Sequence, residues 1–540
     1  MNDPIDAERD PGLASAEDFI AHGEFEAAVA ILDTVLGGAG RDDADAWLTR
    51  AEALASLGRL DAARTDFRQA LDRAAGLPGD RWPALVRGLV GGDRAIGPDV
   101  SGSEADLAGR DACEPESAAP GPAPPADADT AGLLSALRAA LDAAIDADPE
   151  TAGLYVARGE LFRARGQLEN ALNEFIYATE LDESHLDAWL AQADCAEALD
   201  QPQTAADALD HAADLDPNNI RLFGRLGDAI LAYGDLAGAV KAYEEGLELA
   251  PGHVALLASR ARASLGLDLF EEVVEDCQAV VNKAPDFVEG WSMLGQALFE
   301  LGRDDEALAA LDRVLELRPD HTSAHHYRGD LYAMRGDSAA AEAAYAIVLT
   351  HDPDDIDTRL HLAELHLDNG RFEKALVEAE AIVGQAPDEP DGWLVVAECR
   401  LAASDSVGAL AALDAGIDHN PEVPELYLAR ARCHFDQGHL FLAWRDARWV
   451  LDIEPEDVDA FVLRARIALQ IEGPNEALAD LDEAIEIEPE HGAAHAWRGR
   501  AFALAGNPEA AQESWVEAEA WLDDDDPLRA DIAAWRAEPG

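Results

Sequence analysis

The chain has 540 residues, with 40 basic residues against 109 acidic ones and a formal net charge of −69. Such a charge argues against nucleic acid as a partner, because phosphates are repelled, and against docking on an anionic membrane surface. Hydrophobic residues make up 48% of the chain, yet no apolar run approaches the roughly 20 residues that span a bilayer.

The stretch from Met1 to Asp10 is acidic and has no apolar core, so no secretory signal is expected and the cytoplasm is the expected location. Five cysteines, Cys113, Cys195, Cys277, Cys399 and Cys433, contain no CxxC pair. They are too few and too dispersed for a disulfide or metal framework. The only lysines are Lys241, Lys283 and Lys374. Two origins of this acidity stay open: adaptation to a salt-rich cytoplasm, or a high-GC genome with an acidic, solubilising surface.

In chain order, residues 9–77 read as two helical pairs. In the first, Phe25, Val29, Leu32 and Val35 recur at helical spacing after Gly23; in the second, Trp47 and Leu54 precede Gly58, and Ala63, Phe67 and Ala70 follow it. Residues 80–91 have room for one short helix, limited by Pro83 and the Gly91-Gly92 pair. The span 78–130 is otherwise rich in Pro, Gly, Ala, Ser and Asp. It is expected to be a mostly disordered linker, because it lacks the bulky apolar side chains that offset ordering entropy. A partial repeat follows at 131–151, with one helix over Leu133 to Ala147.

From residue 152 a strict ruler takes over. Pro217, Pro251, Pro285, Pro319, Pro353, Pro387, Pro421, Pro455 and Pro489 stand 34 residues apart, and Pro149 lies on the same ruler. Residues 152–525 therefore divide into eleven repeats of 34 without insertion. Their first positions are Ala152, Leu186, Ile220, Val254, Val288, Thr322, Ile356, Pro390, Pro424, Val458 and Gly492. Every eighth position is Gly or Ala, and every twentieth is Ala except Val273. Small residues at fixed places mean that two helices approach closely there. Position four is usually a large aromatic, as in Tyr155, Trp189, Trp291, Trp393 and Tyr427, but Leu257, His325, Arg359 and His495 stand there in four repeats. Position fifteen is usually Gly, which suits a turn, and the proline near the end separates one pair from the next. Residues 526–540 open with Pro527 and form a final helix, the expected cap of an open array.

A large residue at four, small ones at eight and twenty and proline at thirty-two resemble the tetratricopeptide repeat family. The resemblance covers 152–525 in full and 9–77 more weakly. It implies an all-α solenoid, antiparallel helix pairs stacked into a right-handed superhelix whose concave groove is lined by the first helix of each pair. It also implies that positions two, five, nine, twelve and thirteen face that groove.

At position nine, Arg432, Arg466 and Arg500 follow one another, with Phe435, Leu469 and Leu504 one turn along the same helices. That column suits an acidic segment or a C-terminal carboxylate. Internal pairing with Asp436, Asp459 and other acids is the competing reading. Earlier in the array, Asp330, Glu364 and Glu398 occupy position nine, with Asp357 and Asp391 at position two. They suit a basic segment, or simply form a solvated acidic face. Arginines at position seven are read as structural. His325, His326, His361 and His366 lie on adjacent helices, but HLAELH departs from HExxH and no metal is expected. No phosphate-cradling loop or nucleophile elbow is present, so neither catalysis nor a cofactor is expected. The expected function is a protein interaction scaffold that holds an extended or helical partner segment. The alternatives are a structural spacer or assembly factor in a cell-envelope or secretion complex, and the regulatory part of an enzyme system.

Overall fold

The computed structural model describes residues 11–38, 43–57, 59–74, 77–90, 128–524 and 526–538. Residues 91–127, the greater part of the expected linker, lie outside them. The regular structure of the described residues is helical throughout, 29 α-helices and one 3-10 turn. None of these helices is long and apolar enough to cross a membrane. The chain divides into two compact units, Met1–Ala310 and Leu311–Gly540.

The first unit begins with two pairs, α1 (Pro11–Ala21) with α2 (Phe25–Gly37) and α3 (Ala44–Ser56) with α4 (Leu60–Leu71). Next come a 3-10 turn, Gly79–Arg81, and a short helix α5, Trp82–Val90. α5 packs on α3, α4 and on the first helix of the main array, α7 (Ala152–Ala164). Trp82, Leu85 and Val86 are buried there, and Arg81 donates to Asp45 (2.7 Å), Thr49 (2.9 Å) and Glu52 (3.0 Å) on α3. α6 (Ala128–Ala147) also packs on α7, through the buried Leu137 and Leu141. A single apolar core consequently runs from Leu13 to Ala242. The pairs of 9–77 are thus stacked on the main array through α5, which lies inside the span read as linker.

The main array of this unit continues with α8 (Leu168–Leu181), α9 (Leu186–Ala198), α10 (Pro202–Leu215), α11 (Ile220–Ala232), α12 (Leu236–Leu249), α13 (Val254–Leu265), α14 (Phe270–Lys283) and α15 (Val288–Glu300). The division between units falls within α16 (Asp304–Leu317). The second unit holds α17 (Thr322–Met334), α18 (Ser338–His351), α19 (Ile356–Asp368), α20 (Phe372–Gln385), α21 (Pro390–Ala402) and α22 (Ser406–His419). It ends with α23 (Pro424–Asp436), α24 (Leu440–Ile453), α25 (Val458–Ile471), α26 (Pro474–Ile487), α27 (Gly492–Leu504), α28 (Pro508–Trp521) and α29 (Pro527–Ala537). Every first helix starts at the first position set by the proline ruler.

Each helix has a local cause. Six first helices of the main array are capped by the side chain of the residue before them. His185, His253, His321 and His491 accept through Nδ1 from the N–H three residues on, as Asp355 and Asp457 do through carboxylates. The turn between partners uses a left-handed residue, at position fifteen in ten of the eleven repeats and at Gly473, position sixteen, in the other. Gly166, Gly234, Gly336 and Gly438 supply it, and Asp200, Asp268 and Ser404 adopt it despite their side chains.

Three recurring devices hold the pairs. At position eight, a Cβ added to Gly159, Gly227, Gly329 or Gly499 would stand within 2.6 Å of the aromatic ring at position twenty-four of the same repeat, Phe175, Tyr243, Tyr345 or Trp515. Where position eight is Ala193, Ala397 or Ala465, position twenty-four is Leu209, Leu413 or Leu481. Where position four carries a donor, the side chain donates to the carbonyl six residues back, at the end of the preceding repeat: Trp291 to Pro285 (2.9 Å), Trp393 to Pro387 (2.9 Å) and Tyr427 to Pro421 (3.0 Å). His325, Arg359 and His495 break the aromatic pattern but keep the bond, to Pro319 (2.9 Å), Pro353 (2.7 Å) and Pro489 (2.8 Å). At position seven, arginine pairs with an acid sixteen residues on, as in Arg260–Asp276, Arg430–Asp446 and Arg464–Asp480. Arg430 also reaches Asp414, sixteen residues back (2.7 Å), so one guanidinium grips its own pair and the previous one.

Candidate partner-binding face

In the second unit, successive first helices touch one another directly, α17 with α19, α19 with α21, α21 with α23, α23 with α25 and α25 with α27. They form one continuous layer, and position nine lies near the middle of each of its helices. α29 packs on α27 in the manner of the next first helix, with Ile532 fully buried.

The three arginines of that layer do not share one environment. Arg432 is ion-paired with Asp459 of α25 (2.6 Å), both half exposed. Arg500 pairs with Glu538 (2.6 Å) and lies over Trp535, 5.5 Å from the ring centre. Both follow the internal-pairing alternative. Arg466 is different. Its guanidinium lies between the rings of Phe435 (4.6 Å) and Trp497 (4.9 Å). Its Nε is buried without a hydrogen-bond partner, and it forms no ion pair among the described residues. Burial pushes this guanidinium below its ordinary pKa, more than nearby Asp436 restores. A cation desolvated between two π faces keeps its charge while its Nε lacks a partner, which leaves it ready for a carboxylate. The ring of Trp497 continues to Trp535 at 4.9 Å, so Phe435, Arg466, Trp497 and Trp535 follow one another along α23, α25, α27 and α29. Leu469 is partly buried against α26 and α27 residues, and Leu504 is exposed at the end of α27. Trp497 and Trp535 were not singled out in the sequence, because position six carries no groove signal and the cap lies outside the repeat register.

The acidic stretch also divides. Glu398 lies on α21 and Glu364 on α19, where burial raises the Glu364 carboxyl above its ordinary range. Asp330 on α17 is largely buried. Its Oδ1 accepts from the Tyr345 hydroxyl (2.6 Å) and from His361 Nδ1 (3.0 Å). Burial alone would raise its pKa, but these hydrogen bonds and the nearby His326 hold it below the ordinary value. The same bond to Asp330 raises His361. His326, Asp330 and His361 thereby converge, their ligand atoms within 4.8 Å of one another. His325 and His366 take no part: His325 is bonded to Pro319, and His366 is buried elsewhere on α19. The spacing that could have revealed the trio is His326 with Asp330, four residues apart on one helix face, joined by a residue of the next first helix.

In the first unit, a cleft of about 330 Å³ opens beside Glu197, Gln201, Arg225 and Asp228. Arg225 is held there by Asp194 (2.7 Å) and Glu197 (2.9 Å).

Models of the tetratricopeptide repeat match residues 13–78, 156–220, 270–321, 292–356 and 447–527, and a second such model matches 332–399. No curated protein sequence matches the chain. Among solved structures, the yeast Tom70 shares 14% identity over 72% of this chain and 95% of its own, with a TM-score of 0.39. The APC/C hetero-tetramer Cut9-Hcn1 shares 12% over 90% and 95%, with a TM-score of 0.37. A tetratricopeptide repeat protein from Parabacteroides merdae shares 17% over 46% and 98%, with a TM-score of 0.38. With helix pairs in 34-residue register and repeat models matching more than half of its length, the chain belongs to the tetratricopeptide repeat family.

Proposed function

We propose that the chain is a non-catalytic cytoplasmic scaffold whose layer of first helices holds an extended or helical partner segment. The supporting observation is Arg466, a guanidinium clamped between Phe435 and Trp497 that forms no ion pair among the described residues. A segment that brings a carboxylate beside an apolar side chain would satisfy the cation and cover Leu504. Arg432 and Arg500 would contribute by exchanging their exposed acids, which costs little because exposed ion pairs are weak. The acidic positions Asp330, Glu364 and Glu398, with Asp357 and Asp391, would favour basic residues elsewhere in the same segment.

The test combines two measurements at the salt of the native host. The variant Arg432→Glu, Arg466→Glu, Arg500→Glu should keep its helicity and lose the partner in a crosslinking pull-down. A photo-crosslinker at position 435 or 469 should label that partner. Undiminished recovery, or labelling only from second-helix positions, rejects the assignment. The pairs Arg432–Asp459 and Arg500–Glu538 favour a second reading, a structural spacer in a multiprotein complex. For a spacer, the charge reversals would leave recovery unchanged.

A further inference from the structure

The trio on α17 and α19 has a feature that the scaffold reading does not use. His326 Nδ1 lies 2.7 Å from Thr358 Oγ1. The Thr358 hydroxyl donates its own proton to Asp355 Oδ2 (3.2 Å), while the Thr358 backbone N–H donates to Asp355 Oδ1 (3.0 Å) as part of the α19 cap. Thr358 is fully buried. When the Thr358 hydroxyl gives its proton to Asp355 it accepts from His326 Nδ1, and in that tautomer His326 presents Nε2 as a lone pair. That nitrogen faces Asp330 Oδ2 at 3.5 Å. A cation between the two, a proton or a metal ion, joins that nitrogen to the carboxylate oxygen.

The other oxygen is supported in the same way. Asp330 Oδ1 accepts from the Tyr345 hydroxyl of α18 (2.6 Å), which fixes the carboxylate and turns Oδ2 toward His326. His361 closes the third side, its ring 5.1 Å from that of His326 and about two-fifths exposed. Glu364 and Asp357 add negative charge around it.

We propose that His326, Asp330 and His361 bind one divalent transition-metal ion, zinc by the chemistry of its donors, with a further coordination position open to solvent or to a donor from a partner. Two imidazoles and a carboxylate form a borderline-soft set that suits zinc and disfavours magnesium or calcium, which prefer oxygen alone. An imidazole and a carboxylate each held by a partner behind them are the support that metal ligands need, here from Thr358 and Tyr345. The ion replaces the proton that His361 Nδ1 shares with Asp330; that proton leaves to solvent or shifts to Nε2. The site is built from three helices of two adjacent repeats, so an ion there would also tie α17 to α19.

The experiment uses the full chain, stripped with a chelator and titrated calorimetrically with zinc chloride. An excess of magnesium chloride occupies the acidic surface, which would otherwise bind zinc weakly at many places. One zinc per chain is expected, retained against magnesium. His361→Ala, at a partly exposed position that should not threaten folding, should abolish stoichiometric uptake, and Asp330→Asn should do the same. Thr358→Val keeps all three ligands and should weaken binding about 10–100-fold, because the His326 ring is no longer held. Circular dichroism follows helicity throughout. Cobalt provides a second readout, a visible absorption band that appears on loading and is lost in His361→Ala. Absence of stoichiometric uptake overturns the proposal. So does uptake that magnesium displaces, or uptake that survives His361→Ala unchanged.

Discussion

Exchanging the packed pair of one repeat for that of its neighbour tests the packing logic of the whole array. Gly159 lies on α7 opposite Phe175 of α8, and a Cβ there would stand 2.6 Å from Cε1 and 2.9 Å from Cδ1 and Cζ. Carbon atoms prefer about 3.5–4.0 Å, so the ring must retreat by about 1 Å. Phe175 is fully buried and has nowhere to go. Overpacking of this kind costs about 1–3 kcal/mol, against about 1 kcal/mol gained from Ala over Gly in a helix. Gly159→Ala alone should therefore destabilise by about 1 kcal/mol. Phe175→Leu alone should cost about 1–2 kcal/mol through lost packing. Together they reproduce Ala193 with Leu209, the pair of the next repeat. The clash is gone in the double variant and the helix gain is realised, so its cost should fall about 1–2 kcal/mol below the sum of the singles. Urea unfolding followed by circular dichroism measures the coupling. Amide exchange in α7 and α8 supplies the local value, since a stacked array need not unfold as one unit. Additivity within about 0.5 kcal/mol would refute the idea that position eight is small because position twenty-four is aromatic.

Arg260→Ala leaves the buried Asp276 carboxylate without its two short bonds (2.6 and 2.8 Å) and should cost about 3–5 kcal/mol in urea unfolding. Arg303→Ala, from the exposed pair with Glu306, should cost about 0–1 kcal/mol. Ser404→Gly relieves a left-handed turn residue at φ 61° and should stabilise by about 0.5–1 kcal/mol, read as a later unfolding midpoint. His366 is buried, and burial depresses its pKa below the usual value despite Glu342 and Glu378, while Lys374 and Arg371 depress it further. Its folded form therefore binds fewer protons than the unfolded one, so stability rises with pH through this window and is lost on acidification from about pH 6.5 downward. His366→Leu should flatten that slope in melts between pH 7 and 5, and an unchanged slope would count against it. The thermal midpoint should rise from dilute buffer to molar potassium chloride, because salt screens the repulsion within a chain of charge −69.

The repeat was legible because it is written in residue types at fixed intervals, and each first helix begins where the proline ruler places it. The reason for the small eighth position was also within reach, since Gly159, Gly227, Gly329 and Gly499 each come with an aromatic sixteen residues on. The departures at position four were harder. His325, Arg359 and His495 look like defects when aromatic bulk is the criterion, but each offers an N–H of the right reach, the bond that Trp291, Trp393 and Tyr427 also make. The short helix α5 falls within the span 80–91 where one was expected, but its role was hidden; its apolar face has meaning only once α4 and α7 are in place. The partners of Arg432, Arg466 and Arg500 depended on side-chain directions across neighbouring helices. So did the meeting of His326, Asp330 and His361, which joins a four-residue spacing on α17 to a residue of α19 and matches no single-helix motif.

The bond at position four bears on how such a chain can lengthen. Its acceptor is a backbone carbonyl, which any preceding unit offers whatever its side chains. The glycine at eight and its ring at twenty-four, by contrast, lie within one unit and are copied or deleted together. A gene segment encoding 34 residues therefore carries these two devices with it when it is duplicated, lost or exchanged. What must be adjusted is the side-chain packing between units, as where Gly392 leaves room for Ile382 and Val383 of the preceding one, together with the arginine reach, as from Arg430 to Asp414.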